Sequence, residues 1–573
     1  MSRIKPYICL FTLCLFLSSL TIAYAQVPPS QTAGGVEDRE RDIEKEKRLE
    51  KTIEEKKKTK VEEESAQEVT PVTAGKKVAI KSITVEGVTL LSQQELDKVI
   101  APYRDKELTL EEMQKVADLI TNAYRAKGYA TSRAYLPPQT IKDGVLLIKV
   151  IEGKLGQVDI KGNRFFKTSL LKRKLELKPG GYFDYSALQN SLVFINDSPD
   201  RLAKAILVPG KEPGTTDVVL EVKDRFPMHV GFEYDNWGSR YIKKNRWSFL
   251  FDYNNALGLD DRLSFKLQKS ESGLYGLKTG RYILPITNRL EFGAYYSRSD
   301  LKLGREFKPL DAHGKATVIG AFFNHALIAT ERLDLRCSFG FDHKDIYNYL
   351  LGSENSRDEL RVFKQGVDVD ITDKFGRSII LAELDIGVPD IMGGMPEKDE
   401  HASRPGAGGK FNKGVFNIFR LQPLPFSTAL LIKNSGQFSG YRLVASEQFQ
   451  IGGPTSVRGY PPGEFSGDKG WYSAAEWSMP LYFVPRGLRI PFTEDKLYDT
   501  LRFVAFYDWA TVHLNGSLFG DKKNRTLKGA GFGLRFNLRT YLSMRVELGY
   551  PLGPEPSDGS RHVRPWFEFT SKF

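Results

Sequence analysis

The sequence predicts a β-rich chain, with a C-terminal transmembrane β-barrel of antiparallel strands preceded by two small α/β domains. Three observations carry this prediction. The final nine residues, PWFEFTSKF, alternate with period two: Pro565, Phe567, Phe569 and the terminal Phe573 share one face, opposite Arg564, Trp566, Glu568, Thr570 and Lys572. The same alternation recurs upstream with Arg, Asp and Glu on the polar face. A soluble core does not accept these residues on an inward strand face, whereas a wide, wet barrel does. Beyond the amino terminus no segment is apolar enough for a membrane helix, so any membrane crossing must be made by strands.

The elements follow in chain order. Residues 1–25 read as a signal peptide, with Arg3 and Lys5 before an apolar run from Ile8 to Ile22 and small residues at Ala23-Tyr24-Ala25. Cys9 and Cys14 fall in that leader, and neither follows the small residue of a lipoprotein cleavage box. Cys337 is then the only mature cysteine, which excludes an intramolecular disulfide and a cysteine metal cluster. Residues 26–78 read as a charged periplasmic tether or solvated helix. From Glu37 to Glu64, 22 of 28 residues are charged, 12 acidic and 10 basic, and Ile43, Leu49, Ile53 and Val61 keep no heptad spacing.

Residues 79–153 form a first β-α-α-β-β unit. VAIKSITVEG reads as a strand and Ser92–Tyr103 as a short helix. Thr109 with Glu112 forms a capping box, followed by an apolar stripe of Met113, Val116, Ala117, Ile120 and Tyr124 and a C-cap at Gly128. Strands follow at Ala130–Tyr135 and Gly144–Glu152. Residues 154–224 repeat the architecture. Short open sheets of this kind leave an edge that can accept an extended peptide through backbone hydrogen bonds.

From Arg225 to Phe573 the barrel pattern takes over. Trp247, Phe249, Phe251 and Tyr253 share a face; Leu333, Leu335, Cys337, Phe339 and Phe341 oppose Asp334, Arg336, Ser338, Gly340 and Asp342; Met544, Val546, Leu548 and Tyr550 oppose Arg545 and Glu547. Leu501, Phe503, Ala505 and Tyr507 form an apolar face, which turns Arg502, Phe506 and Asp508 toward the lumen. Arg458 lies on a Gly- and Pro-rich loop, where Gly452, Gly453 and Gly459 permit sharp turns, and a guanidinium can meet a carboxylate through two parallel bonds. An Arg458–Asp508 contact inside the barrel is therefore expected. The polar stretch Pro389–Lys413 reads as a mobile loop.

Three groups of residues resemble one family. GYATSRAYLPPQTIKDGVLLIKVIEGKLG is similar to the first polypeptide-transport-associated (POTRA) domain of two-partner secretion transporters in Gly128-Tyr129, Ser132-Arg133, Leu136-Pro137, Gln139, Gly144 and Glu152-Gly153. Val457-Arg458-Gly459-Tyr460 resembles the tip signature of an inward-folded loop, here near 445–475, and Phe506-Tyr507-Asp508 the strand motif that holds it. Phe573 resembles the C-terminal signal of bacterial outer-membrane barrels. The resemblance implies about 16 strands, two POTRA domains and an outer-membrane transporter with its POTRA domains in the periplasm. That transporter would export a large adhesin- or haemolysin-like exoprotein.

Outer-membrane lipid and, during biogenesis, the barrel assembly machinery are the further partners expected. An amphipathic plug helix is common before the first POTRA domain of this family; the charged segment here is so polar that a snug plug is not expected. Alternative readings are a barrel assembly factor, a barrel enzyme or a porin. No G-x-S-x-G, H-E-x-x-H or GxxxxGK[ST] run is present, and the seven His lack ligand spacing, so no catalytic residue, cofactor or metal is expected. The net charge of +12 is spread along strands rather than gathered on a basic helix, which argues against nucleic acid as partner.

Overall fold

The computed structural model describes residues 27–54, 61–63, 77–516, 522–539, 541–559 and 561–573; the expected leader and its cleavage site lie outside the described residues. Sixteen antiparallel strands, from Met228–Asp235 to Arg564–Lys572, close into a barrel. The closing seam is short, running from Gly231 opposite Lys572 to Asp235 opposite Glu568. Alternation sets which side chain goes where. Phe232, Phe249, Phe265 and Phe339 remain 46–50% exposed on the outer wall, where hydrocarbon covers them, while Glu233, Arg246, Gln268 and Asp342 are buried in the lumen. The terminal strand obeys the same rule, with Trp566 and Glu568 inward and Pro565 outward.

The first periplasmic domain packs helices Gln93–Ile100 and Leu110–Ala126 on a three-stranded sheet in the order Ser82–Glu86, Val145–Ile151, Arg133–Tyr135. Val116, Ile120, Tyr124, Leu146 and Ile148 form its core. The Thr109–Glu112 capping box is present, and Gly128 takes φ 91° just beyond the helix end. The expected single strand VAIKSITVEG is broken at Lys81. The Lys81 and Ser82 amides both turn to the Gly144 carbonyl, leaving Val78–Ile80 to pair with Lys106–Leu108.

The second domain places helices Thr168–Lys174 and Tyr185–Ile195 on strands Lys154–Lys161, Thr215–Asp224 and Arg201–Pro209. A strand absent from the sequence reading completes this sheet: Val61–Glu63, from the charged segment, pairs in parallel with Ala205–Leu207. The two domains meet where the Tyr185 amide donates to the Gly128 carbonyl (2.8 Å) and Tyr182 Oη lies 2.9 Å from Thr89 Oγ1. The second domain is fixed to the barrel by Lys174, 2.6 Å from Asp260, by Arg201 on the same carboxylate, and by Arg289 on Glu176 (3.2 Å).

The expectation of a solvated tether is corrected for most of the charged segment. Ala33–Glu54 is a continuous helix inside the barrel. Its 22 residues span about 33 Å at 1.5 Å per residue, enough to cross the hydrocarbon layer. Its start lies at the outer end, where the Ala33 amide donates to Asn348 Oδ1 (3.0 Å), and its last turn lies at the periplasmic end, where Arg377 bonds the Thr52 carbonyl (2.5 Å). Many of the charges that made it look solvated, from Glu37, Glu40 and Arg41 to Glu46, Lys47 and Glu50, find partners on the lumen wall. Pro389–Lys413 also departs from expectation, because Met395, Ala402 and Ala407 are buried against Leu360, Phe411 and Leu443, so this loop is packed over the outer mouth.

Candidate functional site

Between strands Thr428–Phe438 and Lys469–Pro480 the chain folds into the lumen over residues 439–468. This corrects the expected 445–475, because Gly470 already pairs with Gln437 in the wall. The loop is a hairpin of Phe449–Ile451 on Phe465–Gly467, with a tight tip closed by the Tyr460 amide donating to the Val457 carbonyl (3.0 Å). Gly452 and Gly453 turn the chain with φ of 98° and 106°. Gly459 serves a different end from the turn expected of it: a Cβ there would lie 2.6 Å from Pro551 N, so glycine lets the tip lie on the wall.

The tip residues each meet the barrel. Val457 is fully buried among Ile451, Tyr472, Ala510 and Leu527. Tyr460 Oη donates to the Pro554 carbonyl (2.9 Å) and accepts from the Gly553 amide. Arg458 and Asp508 meet in a two-pronged pair, Nη2 to Oδ1 at 2.6 Å and Nε to Oδ2 at 2.9 Å, and the Arg458 amide also donates to Oδ2 (3.1 Å). The guanidinium carbon stands 3.4 Å from the centre of the Phe506 ring. Trp566 Nε1 donates to the Arg458 carbonyl (2.7 Å). Phe573 lies at the closing seam, its amide donating to the Val230 carbonyl (2.8 Å).

Sequence reasoning missed two further partners. Arg458 Nη1 lies 2.8 Å from Glu476 and 3.2 Å from Glu547. Glu547 stood on a polar face that was recognised, but nothing in the sequence selected it among the lumen carboxylates. Glu476 sits in GWYSAAEWSMP, where small residues hide the alternation.

Both carboxylates lead on to the helix. Glu476 pairs with Lys433 (3.0 Å), which also holds Glu46 (3.1 Å) and Glu50. Arg535 holds both Glu476 (2.8 Å) and Glu547, and Arg545 holds Glu50. Plug helix and loop tip are thus anchored in one continuous network. Level with this network Lys47 pairs with Glu233 and Glu568, and higher in the lumen Arg246 pairs with Glu40 and Arg41 with Asp342 (3.2 Å). At the outer end Ser30 Oγ donates to the Gly463 carbonyl (2.6 Å), which joins the start of the helix directly to the loop.

Asp468, fully buried, ties three outer segments together. It accepts from Arg404 of the mouth loop, from the Leu443 amide (2.8 Å) and from the Asn515 amide (2.6 Å). A cavity of ≈1830 Å³ remains beside the helix, lined by Arg41, Arg48, Arg281, Tyr295 and Glu383 among others. The arrangement is a closed, ion-paired pore whose obstructions are two segments of the chain itself.

Comparison with known proteins places this architecture. Residues 214–536 match the model of the haemolysin secretion/activation protein ShlB/FhaC/HecB family. Residues 78–153 match the ShlB-type POTRA domain, and residues 154–223 match the model described as surface antigen variable number repeat. Among curated proteins the chain is 25% identical over 487 residues to the heme/hemopexin transporter protein HuxB of Haemophilus influenzae, covering 82% of each. It is 26% identical over 500 residues to the outer membrane transporter CdiB of Escherichia coli, covering 84% of this chain and 80% of that one. Among solved structures CdiB from Escherichia coli superposes with a TM-score of 0.75 at 22% identity, covering 96% of this chain and all of that one.

Proposed function

The chain belongs to the haemolysin secretion/activation protein ShlB/FhaC/HecB family, and from that premise we propose how its parts carry out export. It is an outer-membrane transporter of the two-partner secretion type, with periplasmic POTRA domains, and not an enzyme. Transporters of this type work with a secreted exoprotein. Here that partner is a large adhesin- or haemolysin-like chain, captured unfolded in the periplasm. Outer-membrane lipid surrounds the wall, and the barrel assembly machinery inserts it.

Capture begins at a sheet edge of the POTRA domains, where an extended segment adds by backbone hydrogen bonds. On the Arg201–Pro209 side of the second domain that edge is held by Val61–Glu63, so cargo adding there must replace a strand of the transporter. The same segment continues toward the plug helix, and replacing the strand is the natural first step in withdrawing the plug. The Val457-Arg458-Gly459-Tyr460 tip acts as a latch on Phe506 and Asp508, holding the inward loop against the wall while cargo passes. The sequence carries no GxxxxGK[ST] run, and in this reading folding of the exoprotein outside supplies the driving force.

The observation that carries this reading is the shared ion-pair network of plug, loop and wall. It makes the obstruction removable without unfolding the barrel. The test is mass spectrometry of culture medium and outer membrane with and without the protein. Loss of one large exoprotein from the medium with other barrels intact is the expected result. Broad loss of outer-membrane barrels would instead assign an assembly factor.

A further inference from the structure

The connection between strands Lys469–Pro480 and Leu501–His513 runs over residues 481–500, on the rim that faces the POTRA domains, whereas the neighbouring turn on that rim takes only residues 425–427. It is an ordered hairpin. The Ile490 amide donates to the Asp495 carbonyl and the Leu497 amide to the Leu488 carbonyl, both at 2.9 Å. Tyr482 Oη bonds the Phe426 carbonyl on the neighbouring turn (2.8 Å). Yet it buries few of its own large apolar side chains: Phe483 is 82% exposed, Phe492 fully exposed, and Phe426 beside it 84% exposed.

Phe426 and Phe492 stand at φ 60° and 64°, a backbone region that phenylalanine rarely adopts. An ordered segment that displays aromatics from strained positions, and covers them with nothing of its own, is shaped for an external apolar phase. The adjoining wall identifies that phase. Trp477, Phe503, Tyr507 and Phe532 face outward on the strands next to the hairpin, so its aromatics continue the lipid-facing surface at the rim. The polar groups suit the headgroup level. Arg486 lies over Tyr498 (5.5 Å), Arg489 keeps only a loose contact with the exposed Glu494 (3.7 Å), and Asp495 is matched by Arg539 (2.7 Å).

We infer that residues 481–500 form an interfacial anchor in the periplasmic leaflet of the outer membrane, with Phe483 and Phe492 below the phosphates and Arg486 and Arg489 among them. The anchor fixes the periplasmic ends of the strands that carry Glu476 and Asp508, so the carboxylates gripping Arg458 are referenced to the bilayer.

The test places a nitroxide on Phe492→Cys, in a Cys337→Ser background, in the full chain reconstituted into phosphatidylethanolamine–phosphatidylglycerol vesicles. Collisional access of oxygen and of a water-soluble nickel chelate is then compared with Phe339→Cys on the lipid-facing wall and Lys142→Cys on the first POTRA domain. Preference for oxygen, as at Phe339, is expected, and Phe483→Cys should give the same result. Chelate access equal to that at Lys142 at both positions would overturn the anchor. So would protection that appears only when an unfolded exoprotein segment is added, which would make the hairpin a cargo surface.

Discussion

Arg458 is surrounded by Asp508, Glu476 and Glu547, so its removal breaks the buried pair with Asp508 outright and leaves Glu476 and Glu547 to Lys433 and Arg535. Breaking such a buried pair costs about 3–5 kcal/mol. Arg458→Ala should therefore leave a folded barrel with a displaced loop and depressed secretion, read as heat-modifiable migration together with exoprotein in the medium. Arg458→Lys should recover only part of the loss, because an ammonium cannot make the two-pronged contact with Asp508. Normal export by a folded Arg458→Ala variant would remove the latch role. A second residue-scale prediction concerns Glu152 at the junction of the POTRA domains. Partial burial works against its charge, but hydrogen bonds from Thr89, Tyr124 and the Leu90 amide outweigh this and hold its carboxyl below the ordinary range. A carboxyl with a lowered folded-state pKa contributes stability that is present above its unfolded value and fades as pH falls through the folded one. Hydrogen-exchange protection of Leu110–Ala126, corrected for intrinsic rates, should thus drop below the usual carboxylate range, and Glu152→Gln should flatten that dependence. The Arg458–Asp508 pair was legible because strand alternation assigns Asp508 to the lumen and the tip motif nominates its partner. Glu476 and Glu547 were not, since many carboxylates share that face and only the barrel's curvature selects two of them.

The lumen helix shows how composition misleads when the environment is unknown. Its 22 residues hold eight acidic and six basic side chains, which in water describe a solvated helix. Enclosed by a wall that itself alternates Arg, Lys, Asp and Glu, the same charges become docking groups, and strand periodicity together with helix composition could have suggested this match. The helix start is steric as well as ionic. Thr32 Oγ1 accepts from the Gly35 amide (3.2 Å), and a Cβ on Gly35 would lie 2.2 Å from the Pro29 carbonyl oxygen. Gly35→Ala should unseat the first turn and its contact with the inward loop. Glu46→Gln with Glu50→Gln should weaken the other end, at less than the ~3–5 kcal/mol of a stranded buried charge, because Lys433 keeps Glu476 and Arg545 keeps Glu568. Both outcomes can be read from the disulfide yield of an Ala33→Cys, Asn348→Cys pair in a Cys337→Ser background. The wild-type yield should be high and each variant's lower, while a trapped disulfide should stop export. The helices and strands of the POTRA domains were largely readable from caps and periodicity. The strand Val61–Glu63 was not, because three residues carry no periodicity and its partner lies about 140 residues away.

At the scale of the whole molecule, one covalent path runs from the outer mouth down the lumen as the plug and onto the second POTRA edge as a strand, before the first POTRA domain begins. The barrel, the two domains and their order were legible because period-two alternation and small α/β units leave strong local signatures. The packed mouth loop was not, since Pro389–Lys413 owes its order to Asp468 and to Leu360 and Leu443 on other segments. The charge count of the plug carries one more consequence. With eight acids against six bases, the helix brings two net negative charges to a wall on which Arg246, Lys266, Lys433 and Arg545 face its carboxylates. Once it withdraws, those cations lose its carboxylates and keep only their partners on the wall, among them Asp235, Glu233, Glu476 and Glu568. The emptied channel should then prefer chloride over potassium more strongly than any leak past the plugged form, a difference visible as a shifted reversal potential across a planar bilayer under a salt gradient. The plug is in this sense the fixed counter-ion of its own pore.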